Sequence, residues 1–200
     1  MGRPSNSQQR RGEIADALIR VIAEVGFERA TIAAIARSAN LRSGLVHYHF
    51  HNKEEILLLA IERMGERMQA RYVARRAAAA DTPLSHLHAL VDAHVALGPD
   101  ADPTAVAAWV AVGAVALGQA PVRAAYARVM KQRAQQIHTL VSACLRESRG
   151  TAHGAGDVTA ALLSAIEGAY QLSATAPELL PRGFAAPSLR RMISGLLAPE

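Results

Sequence analysis

Thr31-Ile32-Ala33-Ala34-Ile35-Ala36-Arg37-Ser38-Ala39-Asn40-Leu41-Arg42-Ser43-Gly44-Leu45-Val46-His47-Tyr48-His49-Phe50 is the stretch whose reading decides the fold. Thr31 is a helix-capping residue, and Ile32, Ile35 and Ala36 give a short helix one apolar face. Asn40 tolerates the left-handed backbone that a tight turn needs. Leu41 is expected to pack inward. A second short helix then runs from about Ser43 to Phe50, with Phe50 as its anchor against the preceding long helix. Two short helices joined by a tight turn, the second rich in polar and aromatic tips, make a helix-turn-helix. Its second helix suits the DNA major groove, about 12 Å wide.

Working outward, Asn52-Lys53-Glu54-Glu55 is close to a capping box, and its glutamates complement the dipole of a long helix from Lys53 to about Arg76. Upstream, Ile14, Leu18, Val21, Ile22 and Val25 recur at helical spacing, and Gly26 fits the residue just past a helix end. The first eight or nine residues read as a polar arm carrying Arg3 and Pro4, extended by Arg10 and Arg11. They contain no signal-peptide core.

A second body begins after Asp81-Thr82-Pro83. Pro83 fits a helix start, Gly98 to Pro103 is a breaker, and residues 104–118 form an apolar helix around Trp109. Pro121 opens a helix to about Glu147, residues 148–156 form a loop, and Asp157 is expected to cap a helix to about Thr175. Pro177 to Pro187 connects to a last helix, Ser188 to Leu197. The expected class is all-α with about nine helices, divided into a DNA-binding domain over 1–52 and a ligand-binding and dimerisation domain over 53–200.

Charge supports this division. Of the 200 residues, 22 are basic and 17 acidic. Residues 1–80 hold 13 basic and 8 acidic residues, whereas residues 81–200 hold 9 of each. A basic excess confined to one region points to a polyanionic partner there. Hydrophobic residues make up 50% and aromatic ones only 4%, a mix that favours helices. No apolar run reaches the ~20 residues of a membrane span, so no membrane role is expected. The single cysteine, Cys144, fits a buried core position in a reducing cytoplasm.

The order and spacing of Thr31–Ala36, Asn40–Phe50 and Asn52–Leu57, preceded by Gly26-Phe27, resemble the TetR family of bacterial repressors over residues 10 to 60. The resemblance implies that Lys53 contacts a DNA phosphate, and that Thr31, Arg42, Ser43, Gly44, Leu45, His47, Tyr48 and His49 lie at the DNA surface. Physical chemistry agrees on two points. Gly44 lets a backbone or phosphate come close, and Lys53 stands at a helix start, where free N–H groups favour an anion. This chain departs from the family pattern at Arg42, where Ser often caps the reading helix. His47 replaces a common Tyr, and Ala33 and Ala34 replace an Arg and an acidic residue. Ser43 is left as an alternative cap, and Arg42 as a base or phosphate contact. Arg37 divides evenly between solvent and phosphate.

Residues 105–173 resemble, more distantly, the C-terminal domain of the choline-responsive BetI branch. The cues are Trp109, Pro121–Tyr126 and Leu163–Tyr170. This implies a small-molecule effector, cationic or hydrophobic, near Trp109, Tyr126, Met130, His138, Glu167 and Tyr170. Tryptophan and tyrosine faces with Glu167 would suit a cation. The plainer alternative makes Trp109 and Tyr126 core and either pairs Glu167 with an arginine or places it at the dimer seam. Helices 157–175 and 188–197 are the expected dimer elements, through Leu162, Leu163, Ile166 and Tyr170 on one and Leu189, Ile193 and Leu196 on the other. A two-fold homodimer implies a palindromic double-stranded operator, its half-sites ~34–36 Å apart.

Other chemistries find little support. His47 and His51 are four apart with His49 between them, but no further ligand set accompanies them, so no metal is expected. His86 and His88 are expected on the surface, and Arg75 and Arg76 on a solvated face. No nucleophile elbow, phosphate loop or His-Glu-x-x-His occurs. No catalytic residues, no enzyme activity and no cofactor are therefore expected. The best expectation is a repressor released from DNA by a small ligand. An activator, or a regulator without an inducer, satisfies the same residues.

Overall fold

The computed structural model describes residues 6–95 and 102–198. Arg3 and Pro4 of the arm, and Gly98 to Ala101 of the breaker, lie outside the described residues. Nine α-helices and one short 3-10 turn, with no strand, occur among the described residues. They are α1 (Asn6–Val25), α2 (Ile32–Ser38), α3 (Ser43–His49), α4 (Lys53–Ala77), α5 (Pro83–His94), α6 (Pro103–Gly118), α7 (Ala120–Arg149), α8 (Ala155–Thr175) and α9 (Ala185–Leu197), with the 3-10 turn at Pro177–Leu179.

The chain divides into two compact units, Met1–Glu66 with Thr104–Val129, and Arg67–Pro103 with Met130–Glu200. The division falls inside α4 and inside α7. In the first unit, Ile14, Leu18 and Ile22 of α1 are buried, as are Ile35 of α2, Val46 of α3, and Ile56, Leu57 and Ile61 of α4. Trp109 and Val112 of α6 and Val122 of α7 are also core. In the second unit the core draws on Tyr72, Leu87, Leu90, Ile137, Val141, Leu145, Leu162, Ile166, Leu189 and Ile193. Cys144 is buried there too, and burial pushes its thiol up to about 11, which keeps it protonated and unreactive. Among the described residues no helix is long and apolar enough to cross a membrane.

Several local expectations are corrected. The arm is shorter than its polarity suggested, because α1 already begins at Asn6. Gln9 and Arg10 both reach Glu13 one turn on, an i,i+4 and an i,i+3 pair that support helix there. Gly154, not Asp157, stands at the α8 N-cap, with φ +77°. Asp157 instead lies in the first turn, where its charge complements the dipole. The last helix starts three residues early and takes Pro187 into its first turn, where a missing N–H costs nothing. The apolar faces assigned to the dimer seam are largely spent inside the protomer. Leu162, Ile166, Tyr170, Leu189 and Ile193 are all buried, while Leu172 and Met192 of the same helices stay exposed.

His86 is buried beside Asp81 at 3.6 Å, and His88 is half-buried, so neither is the surface residue expected. His94 is only 3% exposed, and its Nδ1–H donates to the Leu90 carbonyl at 2.8 Å. Burial, with Arg133 and then Arg71 adding repulsion, pushes its pKa down to about 3. The folded chain thus refuses a proton that the unfolded chain accepts below its ordinary value, about 6.5. The stability that this refusal supports is intact above that value and falls as the pH drops from about 6.5 toward 3. Denaturant melts across this range are expected to lose up to about 1.4 kcal/mol per pH unit, and a His94→Gln variant is expected to lose less. Parallel pH profiles of the two proteins would contradict this.

Candidate nucleic-acid interface

The reading head is built around one left-handed residue. Asn40 has φ 56° and turns the chain between α2 and α3. Thr31 caps α2 by accepting from the Ala34 N–H at 3.1 Å. Arg42 occupies the α3 N-cap position with no side-chain cap, so neither it nor Ser43, the first helical residue, caps the helix. This leaves the Arg42 side chain exposed. The capping box at α4 is offset by one residue. Asn52 Oδ1 accepts from Glu55 N–H at 2.8 Å, and Glu55 reaches back to the N–H of His51, at 3.0 Å, rather than to that of Asn52.

Four cationic side chains fix α2, α3 and α4 to α1 and to the corner after it. Arg11 donates to the His49 carbonyl at the end of α3 and lies 4.1 Å from the Phe50 ring centroid. Phe50 itself is 1% exposed. Arg20 donates to the Ser38 carbonyl at 2.7 Å and to its hydroxyl at 3.1 Å, binding the end of α2. Arg63 of α4 makes a two-pronged pair with Asp16, each N–H···O contact being 2.8 Å. Gly12 leaves room for that guanidinium, since a Cβ there would stand 2.8 Å from its Nη1. Lys53 donates to the carbonyls of Phe27 at 3.1 Å and Glu28 at 3.2 Å, with its Nζ 4.4 Å from the Phe27 ring centroid.

With the head clamped in this way, α3 buries only Val46. Thr31, Arg42, Ser43, Gly44, Leu45, His47 and Tyr48 are exposed, and Leu41, His49 and Lys53 are half-buried. Tyr48 is 81% exposed and meets the His49 ring edge-on at 5.0 Å. The structure therefore brings Arg42, Ser43, Gly44, Leu45, His47, Tyr48 and His49 together on α3 and its N-cap, with Thr31 at the α2 N-cap and Lys53 at the α4 start. Lys53 is already engaged by two backbone carbonyls, and the Thr31 hydroxyl by the Ala34 N–H.

The expected ligand residues fall into both units. In the first, Trp109 is buried and stacks on Tyr126, with centroids 4.6 Å apart. In the second, Met130 is half-buried and His138 is exposed, its Nδ1 3.4 Å from the Thr159 hydroxyl. Glu167 pairs with Arg133, as the plainer alternative had it. Tyr170 is 2% exposed, and burial raises its pKa to about 12. Sequence reasoning missed Arg133 and His94. Their signal was positional: Arg133 continues the buried four-residue stripe of Ile137, Val141 and Leu145, and His94 follows Leu87 and Leu90.

A helix-turn-helix head with an outward reading helix, in an all-helical chain, defines a DNA-binding transcriptional regulator. Residues 14–60 match the family model described as "Bacterial regulatory proteins, tetR family". It is 28% identical to the HTH-type transcriptional regulator BetI of Burkholderia mallei over 96% of this chain and 95% of the relative. Its fold is that of a transcriptional regulator from Rhodococcus sp. Rha1, with a TM-score of 0.76, 24% identity, and coverage of 94% of this chain and 95% of that one. It is also that of a putative regulator from Saccharomonospora viridis solved in complex with choline, with a TM-score of 0.77, 22% identity, and coverage of 95% and 96%.

The Asp16–Arg63 pair is partly buried, and its hydrogen bonds hold the Arg63 guanidinium above its ordinary pKa despite desolvation. Replacing Asp16 with Asn removes the charge and one acceptor, at a cost of about 2 kcal/mol. Equilibrium unfolding of D16N reads this loss directly. A change within about 0.5 kcal/mol, the range of an ordinary surface substitution, would mean the clamp holds little.

Proposed function

We propose that the chain is a cytoplasmic homodimeric repressor, with residues 1–52 reading a palindromic operator and residues 53–200 forming the dimer and receiving a small-molecule effector that releases the DNA. The observation that carries the DNA half is the exposure of nearly every α3 side chain on a head clamped to α1. In this reading α3 enters the major groove. Arg42, Ser43, His47, Tyr48 and His49 meet bases and phosphates, Thr31 and Gly44 meet backbone, and Leu45 offers an apolar contact to a thymine methyl. Lys53 leaves its two carbonyls, or shares them, to meet a phosphate at the α4 N-terminus.

For the dimer, the outer stripe of α8 supports a second copy. Ala161, Ser164, Gly168 and Leu172 are exposed at three- and four-residue spacing, and α9 adds exposed Met192 and Gly195. Small residues let two helices approach closely, and the exposed Leu172 and Met192 supply apolar area. For release, an effector acts only by binding the DNA-incompetent state more tightly than the competent one. Support for a small molecule comes from the resemblance to regulators of this kind, one of which is solved with choline.

Two substitutions separate reading from folding. Tyr48→Ala, at an 81% exposed residue, is expected to leave the melting temperature nearly unchanged while cutting operator affinity. Lys53→Ala is expected to weaken operator and random DNA alike, as loss of a phosphate contact does. Operator affinity unchanged in both variants would remove α3 and the α4 start from the interface.

A further inference from the structure

The second unit buries a polar group of side chains that DNA reading does not use. Arg133 of α7 is 3% exposed and donates to Glu167 of α8. Its Nη2 lies 2.7 Å from the Met68 sulfur, a weak acceptor. Its Cζ stands 5.7 Å from the ring centroid of Tyr170, one turn beyond Glu167. The Tyr170 hydroxyl is fully buried and has no hydrogen-bond partner, and the same holds for the Ser173 hydroxyl a turn further on. The Glu167 side chain keeps 25% of its exposure, so the ion pair is reached from solvent along that carboxylate.

A buried phenol hydroxyl without an acceptor is costly, and a guanidinium fork matches a carboxylate on two prongs. We propose that Arg133 and Tyr170 form the floor of the effector site, that the effector carries a carboxylate, and that Glu167 is the internal carboxylate it displaces. The inference rests on the reading that an effector acts on this part of the chain. It departs from the expectation of a cationic ligand for a physical reason. Glu167 is already neutralised by Arg133, and the Tyr170 ring already faces a guanidinium, so a quaternary ammonium finds neither counter-ion nor open aromatic face. Displacing Glu167 leaves its carboxylate without the Arg133 partner on α8, the helix whose outer stripe is assigned to the second copy.

The test uses the full chain, alone and bound to operator DNA, with benzoate and octanoate as carboxylate probes and choline and tetramethylammonium as cationic ones. The carboxylates are expected to raise the melting temperature and the cations to leave it unchanged. Tyr170→Phe, which removes only the hydroxyl, is expected to weaken the carboxylate midpoint about tenfold. Glu167→Gln, which removes the internal competitor, is expected to tighten it about tenfold. Three results overturn the proposal: stabilisation by the cations instead, carboxylates acting equally on Tyr170→Phe, or no response to either class, in which case the hydroxyl holds a buried water. The contrast between anions and cations is read on the unmodified protein, so it stands even if a variant melts early. Operator release is scored separately. Carboxylate binding that depends on Tyr170 but leaves DNA bound keeps the site and rejects induced release. Release by choline keeps induced release and rejects the site.

Discussion

The outward face of α3 exists because Val46 and Phe50 are buried beneath it. A seven-residue helix is too short to hold itself together in water, where isolated helices need about 12–15 residues. Burial of those two side chains, with Arg11 closing over Phe50 and its backbone partner His49, fixes the axis of α3 against α1. Everything polar on the helix is then free to point away. Arg20 secures the end of α2, Arg63 ties α4 to α1, and Lys53 ties the α4 start to the corner after α1. The basic residues of this region thus do two jobs. Arg11, Arg20 and Arg63 are structural, while Arg42 is left exposed for a partner.

This division of labour explains what was legible in the sequence. The Thr31 cap, the Asn40 turn, the Phe50 anchor and the α1 stripe each follow a local rule, because short-range geometry fixes them. The same holds for the order of the nine helices among the described residues. Boundaries were less legible where two rules compete. The first eight or nine polar residues read as an arm, yet α1 begins at Asn6, and Gln9 and Arg10 pair with Glu13 along it. Pro187 read as a barrier, yet a first helical turn has no use for its missing N–H.

Tertiary partners were the part that periodicity could not supply. The α8 and α9 stripes were visible, but a stripe does not say whether it meets its own chain or a second copy. Here Leu162, Ile166, Leu189 and Ile193 are used within the protomer, leaving Leu172 and Met192 outside. Likewise an arginine or histidine on an apolar stripe shows that a buried polar group exists, but not what it faces. Arg133 and His94 are of that kind, and their neighbours Glu167 and Tyr170 gain meaning only once Arg133 is seen between them.

The central claim is that this head binds duplex DNA through α3, with Arg42 and Lys53 meeting phosphates. The most direct measurement is operator affinity of the full chain as a function of salt, with the protected bases read in parallel. The account predicts a log–log slope of about 0.9 per neutralised phosphate, with two protected half-sites one helical turn apart, ~34–36 Å. Affinity that ignores salt, or protection that shows no paired half-sites, would contradict it.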